Sequence, residues 1–226
     1  MIDPIVFDFL TQLKANNNRD WFNENKALFN KAKASFEASM QQFIDIVHDI
    51  DPSVGDLTPK ECVFRIYRDT RFSKDKTPYK TNMGGFVAKG GRKSTMAGYY
   101  LHVEPGACMI AGGSYCPPAD ILKAIRREIY NFADEYKAII QDKEFVKVFP
   151  EKFEDKLKMA PKGFPKDFED IELLKYKSFA PLHAASDDEL TGNNAVDNMR
   201  HVIKTLEPHN SFINRGITTE EDEITL

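Results

Sequence analysis

Residues 82–114 read NMGGFVAKGGRKSTMAGYYLHVEPGACMIAGGS, and this stretch decides the fold. It contains three runs rich in aromatic and β-branched residues, a composition typical of β-strands. The runs span about 82–89, 97–104 and 107–114. Lys89–Lys93 is a basic turn between the first two runs, and Pro105-Gly106 is a tight connection between the last two. Because such short links join only antiparallel neighbours, the stretch predicts a β-meander.

Two further extended segments are predicted outside this meander. They span Cys62–Arg68, just before it, and Leu173–Pro181, which reads as a fifth strand or extended segment. In the earlier segment, alternation predicts that Phe64 and Ile66 face the core. Arg65 and Tyr67 are then expected together on the opposite face.

Helical periodicity surrounds the predicted sheet on both sides. Asp3-Pro4 predicts a helix start, with an acceptor at the N-cap and a proline where its missing N–H costs nothing. A longer helical region from about Arg19 to Ile50 is expected to break near Asn25. On the C-terminal side, helices are predicted at about 119–136 and 195–206, the last of them ending at Pro208.

Length and composition favour one domain. The chain has 226 residues, of which 42% are hydrophobic, and no linker or repeat divides it. We therefore predict a single α+β domain over residues 1–219, an antiparallel β-meander of four or five strands flanked by N-terminal and C-terminal helices. Residues 220–226 are predicted to form a flexible acidic tail.

Cysteine usage and the N-terminus predict a cytoplasmic protein. Cys62, Cys108 and Cys116 form no CxxC pair and no zinc-ligand spacing, which indicates reduced thiols. The N-terminus begins with an acid rather than a basic region, and the chain has no run of about 18 apolar residues. These features predict no signal peptide, no membrane partner, no metal and no cofactor. We expect a monomer or a weak dimer.

Charge is distributed unevenly along the chain. Residues 60–93 carry ten basic and three acidic residues, whereas the whole chain has a net charge of −4. A generally acidic chain with one concentrated basic segment argues against bulk coating of nucleic acid. It favours a local anion site instead.

Within that segment, arginine and lysine side chains lie near hydroxyl groups, a combination suited to phosphate, carboxylate or sulfate. The cations are expected to converge on one concave, electropositive site. The predicted ligand-binding residues are Arg65, Tyr67, Arg68, Asp69, Arg71, Lys76, Tyr79 and Lys80. The alternative interpretation is that Asp69, Asp75 and acids elsewhere pair with these cations and fasten the loop.

Several motifs resemble the signature of a bacterial and fungal family catalogued as domain of unknown function 2461. They are RIYRDTRF at 65–72, KTPYKTN at 76–82, NRDWF at 18–22, GYYLHVEPG at 98–106 and PKGF at 161–164. Together they extend over most of the chain. The resemblance implies one intact domain and assigns no activity, ligand or catalytic residue.

A tyrosine, a histidine and a carboxylate occupy every second position of the predicted strand at 97–104. Tyr100, His102 and Glu104 therefore share one face. His102 and Glu104 are candidate catalytic residues, as a general base and its orienting carboxylate, or two ligands of a metal whose third ligand comes from elsewhere. An exposed or helix-covered polar face explains the pattern equally well.

The sequence contains no Walker loop, GxSxG or GxGxxG element, and it leaves open whether the protein is an enzyme. The first functional hypothesis is a site for a small anionic ligand, catalytic or not, on residues 65–82. The second is an interaction module whose basic surface meets an acidic protein. The third is nucleic-acid contact, for which Tyr67, Phe72 and Tyr79 interleave with cations, although the pI of 5.8 opposes it.

Overall fold

The computed structural model describes residues 1–152 and 155–224, in which ten α-helices surround a five-stranded sheet. The helices are α1 (Pro4–Ala15), α2 (Arg19–Glu24), α3 (Lys26–Ile50), α4 (Pro59–Cys62), α5 (Ala119–Asn131), α6 (Ala133–Ile140), α7 (Lys143–Val148), α8 (Ile171–Leu174), α9 (Asp187–Thr191) and α10 (Ala195–Ile224). The strands are β1 (Met83–Val87), β2 (Gly98–Val103), β3 (Cys108–Gly113), β4 (Glu151–Lys152) and β5 (Pro181–Ala185). None of these helices is long and apolar enough to cross a lipid bilayer.

The strands lie in the order β1-β2-β3-β5-β4, and every neighbouring pair is antiparallel. The predicted α+β class and the meander over the first three strands are confirmed. Their register places Gly84 opposite His102, and Tyr100 opposite Phe86 on one side and Ala111 on the other. The later strands add to the sheet in reverse order, because β5 pairs directly with β3 and leaves β4 at the edge.

The helix starts predicted near the N-terminus are confirmed. The side chain of Asp3 accepts a hydrogen bond from the backbone N–H of Ile5, and that of Asn18 accepts one from Trp21. The long helical region breaks at Asn25 as expected. Later in the chain, the helix predicted over 119–136 is interrupted at Phe132, whose backbone leaves the helical region.

The strand predicted at Cys62–Arg68 is wrong. Its first residue ends α4, and the rest is an extended segment with isolated antiparallel bridges from Val63 to Gly85 and from Tyr67 to Tyr79. Because the segment changes its partner midway, no continuous ladder forms. Ile66 is buried as predicted, but Phe64 is 36% exposed, so its predicted place in the core is wrong.

The fifth strand lies later than predicted. Residues 171–174 form α8, and β5 begins only at Pro181, a residue that a strand accepts at its first position because it donates no ladder hydrogen bond. The intervening Phe179 is extended, and its backbone exchanges two 2.9 Å hydrogen bonds with Ser114.

The predicted end of the last helix at Pro208 is wrong, since α10 continues through this proline to Ile224. An interior proline costs roughly 3 kcal/mol. The turns beyond it bury Phe212, Ile213 and Ile217, and burying three such side chains contributes more than that cost. The predicted flexible tail overlaps the end of this helix, and residues 225–226 lie outside the described residues. Its flexibility stays a prediction.

The two faces of the sheet have different surroundings. On one face, Tyr99, Leu101 and Ile110 are buried in a core shared with residues of α1, α3 and α10. On the other face, Phe86, Tyr100 and Met109 are half-buried rather than fully buried. This open face is where a small molecule has room to bind.

Candidate functional site

The open face of the sheet is the floor of a cleft of about 620 Å³. Phe86 on β1, Tyr100 on β2, and Met109 and Ala111 on β3 point into it because alternate residues of each strand face the same side. Its walls come from residues 92–96 and 115–118 and from Phe64 and Lys80. A volume of this size is ordinary for a small-molecule site.

The absence of a side chain at Gly84 leaves room for Tyr100, which lines the cleft. A Cβ atom at this position would lie 2.8 Å from the hydroxyl oxygen of Tyr100 and 3.1 Å from its ring. A side chain at this position would therefore force the Tyr100 side chain or the strand to shift.

The charges on the cleft wall are all positive. Lys80, Arg92 and Lys93 line the cleft, and none of the described lining residues is acidic. The guanidinium of Arg92 donates to the backbone carbonyl of Lys60, which fixes the basic turn against α4. Burial, and then the nearby charge of Arg65, lowers the pKa of the Lys80 ammonium.

A chain of hydrogen bonds runs along β2 beneath the cleft. The hydroxyl of Tyr100 lies 2.9 Å from Nδ1 of His102, and Nε2 of that ring lies 3.4 Å from Oε2 of Glu104. The other carboxylate oxygen of Glu104 accepts a 2.8 Å hydrogen bond from Thr81 and lies 3.8 Å from the Lys14 ammonium. The face shared by these residues in the sequence thus becomes one connected polar chain.

The protonation states in this chain follow from burial. Desolvation, and next the charge of Glu104, raises the pKa of Tyr100 to about 12. Desolvation lowers the pKa of His102 although its hydrogen bond to Glu104 acts in the opposite direction. At neutral pH, Tyr100 therefore donates its proton to Nδ1 of a neutral His102, which donates from Nε2 to Glu104. The arrangement can pass a proton from the cleft to His102.

The loop cations predicted to converge are paired within their own loop instead. Arg68 donates to Asp75 and Thr77. Arg71 binds both carboxylate oxygens of Asp69, at 3.0 and 2.7 Å. Lys76, the third of these cations, donates to the carbonyl of Thr70 at 2.9 Å. Of the five cations expected in one site, Lys80 alone is among the described residues that line the cleft.

The two tyrosines of the predicted site contact the helical layer. Tyr79 is buried and stacks on Phe22 with ring centroids 4.0 Å apart. Tyr67 lies 6.0 Å from the same phenylalanine ring, and its hydroxyl accepts a 3.4 Å hydrogen bond from Lys26. Both residues attach the basic segment to α2 and α3. Arg65 is exposed, close enough to Lys80 for its charge to act there.

A metal ion has no evident position in the described part of the chain. There, no three His, Cys, Asp or Glu side chains lie together at ligand spacing. His102 and Glu104, the two candidate metal ligands, are hydrogen-bonded to each other.

Sequence reasoning missed Phe64, Phe86, Arg92 and Lys93 as parts of the site. Phe86 could have been found from the strand register, because it pairs with Tyr100 on the same face. The sequence predicts Lys89–Lys93 as a turn and assigns no ligand contact to Arg92 or Lys93. Nothing local to residues 92–93 indicates that they return over the sheet.

Comparison with known proteins identified one family. Its model, described as "Conserved hypothetical protein (DUF2461)", matches residues 5–212, which include the whole cleft lining. That description assigns no activity or ligand. No curated protein and no solved structure matches the chain.

Proposed function

The chain belongs to the DUF2461 family, and we propose that it binds a small organic anion, bearing phosphate or carboxylate, in the cleft over the open face of its sheet. The anionic group is bound by Lys80 and Lys93. Arg92 fixes the basic turn that carries Lys93 against α4. Tyr100 and Phe64 form the surface against which the rest of the ligand packs.

The observation that carries this proposal is the one-sided charge of the cleft lining: three cations and, among the described lining residues, no carboxylate. No carboxylate in the described part of the chain lies within ion-pair distance of Lys80 or Lys93. Cations held near one another repel, and each charge-assisted hydrogen bond to a bound anion contributes about 1.5–3 kcal/mol in return. Burial, and next the charge of the nearby Arg65, lowers the pKa of the Lys80 ammonium, so its charged form gains from a bound anion.

This proposal relocates the predicted anion site rather than discarding it. Lys80 keeps its expected role in the cleft, and Arg65 is close enough to Lys80 for its charge to act there. Arg68, Asp69, Arg71 and Lys76, together with Tyr67 and Tyr79, receive a structural role in fastening the segment, which is the alternative that the sequence left open.

Catalysis on the bound anion is a second candidate function, favoured by the hydrogen-bonded chain below the cleft. Tyr100 lines the cleft and contacts His102, so a proton leaving the ligand has a path to an imidazole that Glu104 orients. The predicted catalytic roles of His102 and Glu104 belong to this candidate.

The interaction-module alternative is favoured by one residue. Phe72 is 95% exposed at the tip of the basic loop, and the guanidinium of Arg71 lies 5.8 Å from its ring centroid. An acidic protein with an apolar pocket would complement this tip.

Nucleic-acid contact loses support, since Tyr79 is buried against Phe22 and is not free to stack on a base. A cytoplasmic location and a monomer or weak dimer stay predictions.

The test is thermal unfolding with inorganic phosphate as the probe. At a hundred times its dissociation constant, phosphate is expected to stabilise the fold by about 2.7 kcal/mol. Lys80→Gln and Lys93→Gln should each weaken phosphate binding. The matched control is Lys74→Gln, which removes an exposed lysine of the same basic segment outside the cleft. Unchanged phosphate binding by both Lys80→Gln and Lys93→Gln, or no binding by the wild type, overturns the proposal.

A further inference from the structure

The cleft is built from aromatic surface as much as from charge. Phe86 and Tyr100 are direct cross-strand partners on the open face of the sheet. Phe64 closes one side, with its ring centroid 6.3 Å from that of Tyr100 and the two planes at 62°. Large aromatic side chains that stay accessible in a concave site favour a ligand that packs on them. Covering their apolar surface with a ligand is more favourable than leaving it in contact with water.

Charge and aromatic surface are also neighbours. The ammonium of Lys80 lies 5.5 Å from the ring centroid of Phe64. An anionic group bonded to this ammonium is therefore within a few ångströms of the aromatic wall. A ligand that carries a flat ring next to its anionic group contacts both at once.

The size of the cleft also favours an organic ligand. Its volume is about 620 Å³, within the range of roughly 300–1,000 Å³ that holds molecules of drug or metabolite size. An inorganic anion fills only a small part of it. Ser94 and Thr95 follow Lys93 along the wall. Their hydroxyl groups suit the polar edge of a ring.

We infer that the ligand of this cleft is an aromatic phosphate: its phosphate binds Lys80 and Lys93, and its planar ring packs on Phe64 and Phe86. This inference rests on the proposed anion binding and adds the chemical class of the ligand. The ring comes either from a nucleobase or from a simple aryl group, and the two sources are separated by experiment.

The experiment is isothermal titration of the wild-type protein with two matched pairs of probes. Phenyl phosphate and methyl phosphate differ only in the ring, and stacking on an aromatic wall corresponds to about a tenfold tighter dissociation constant for the former. AMP and ribose 5-phosphate differ in the nucleobase. A tenfold preference for AMP assigns the site to nucleotides, and its absence together with a preference for phenyl phosphate assigns it to aryl phosphates.

The variant that isolates the ring contact is Phe64→Leu. This substitution keeps an apolar side chain at a partly exposed position, so the fold should persist and its melting temperature verifies this. It is expected to remove most of the preference for phenyl phosphate over methyl phosphate. Phe72→Leu is the control, because this phenylalanine is 95% exposed and outside the cleft.

Different results would contradict anion binding and the aromatic class of the ligand. Equal affinity of the wild type within both pairs of probes overturns the aromatic class and leaves anion binding standing. A ring preference that survives Phe64→Leu unchanged also overturns it. If neither phosphate binds, the proposed function itself is wrong.

Discussion

The hydroxyl of Tyr100 lies 2.9 Å from Nδ1 of His102, two residues further along the same strand. Side chains at this spacing share one face of a strand, and the missing side chain of Gly84 gives the tyrosine room to turn toward the imidazole. Tyr100 also lines the cleft, whereas Glu104 holds the far side of the ring. Within the described residues, the phenol therefore connects the histidine to the cleft.

We expect Tyr100→Phe to raise the pKa of His102. The phenol donates to Nδ1, which is possible only while this nitrogen is unprotonated, so the hydrogen bond favours the neutral imidazole. Removing it removes that preference. The pKa is measured by following the ring resonances of His102 in an NMR pH titration. An unchanged pKa would mean that the hydrogen bond does not form in solution.

The complementary substitution, Glu104→Gln, is expected to lower the pKa of His102 further below its ordinary value. The carboxylate favours the imidazolium both through its hydrogen bond and through its charge, and glutamine removes that charge. The same NMR titration applies. Shifts of the same sign in both variants would contradict the protonation states assigned to the chain.

Acid is expected to destabilise the protein through His209. This side chain is 1% exposed between the rings of Tyr136 and Phe145, its Nδ1 has no partner in the described part of the chain, and burial lowers its pKa to about 4. Below the unfolded-state pKa of about 6.5, the unfolded chain binds the proton first. Stability from this group is thus complete above about pH 6.5 and falls toward pH 4, by roughly 3 kcal/mol.

The check is the free energy of unfolding in urea at pH 7 and pH 4.5 for the wild type and for His209→Phe. The variant should lose less stability on acidification, because the ring fits an aromatic site and no longer titrates. His48→Phe is the control, since His48 is half-buried at the surface, where its ring lies 3.9 Å from the carboxylate of Asp56. An equal loss in all three proteins would show that other groups cause the acid sensitivity.

Gly84→Ala is expected to destabilise the protein by about 1–3 kcal/mol. The added methyl group would lie 2.8 Å from the Tyr100 hydroxyl and 3.1 Å from the carbonyl oxygen of Leu101, so the tyrosine or the strand has to move. In the background of Tyr100→Phe the cost should be smaller, because the closest atom is gone. Chemical denaturation of the four proteins of this double-mutant cycle gives the coupling, and additive costs would refute the close approach.

We expect Arg71→Ala to change neither the melting temperature nor the affinity for phosphate. Its pairing with Asp69 is local and exposed, and such ion pairs contribute little. The measurement is the thermal shift with and without phosphate, with Lys80→Gln as the comparison. A lost phosphate shift in Arg71→Ala would return the anion site to the loop.

The sequence alone determined the features whose causes are local. The links between the three runs contain the basic turn Lys89–Lys93 and Pro105-Gly106, and both are shorter than the dozen or so residues that a parallel crossover needs, so the meander followed from them. Asp3 and Asn18 cap helices by bonding N–H groups two and three residues away, and alternation placed Tyr100 with His102. Each of these depends on residues within a few positions of one another.

Only the tertiary structure decided where the cations and the aromatic residues meet. Arg71 pairs with Asp69 two positions away, whereas Arg92 donates to the backbone carbonyl of Lys60, thirty-two positions earlier. No local sequence pattern distinguishes these two outcomes. The course of α10 through Pro208 likewise depends on a core assembled from distant segments, whose burial outweighs the local cost of proline. The cleft exists because segments remote in sequence close over one face of the sheet, and a pattern of neighbours cannot encode which segments those are.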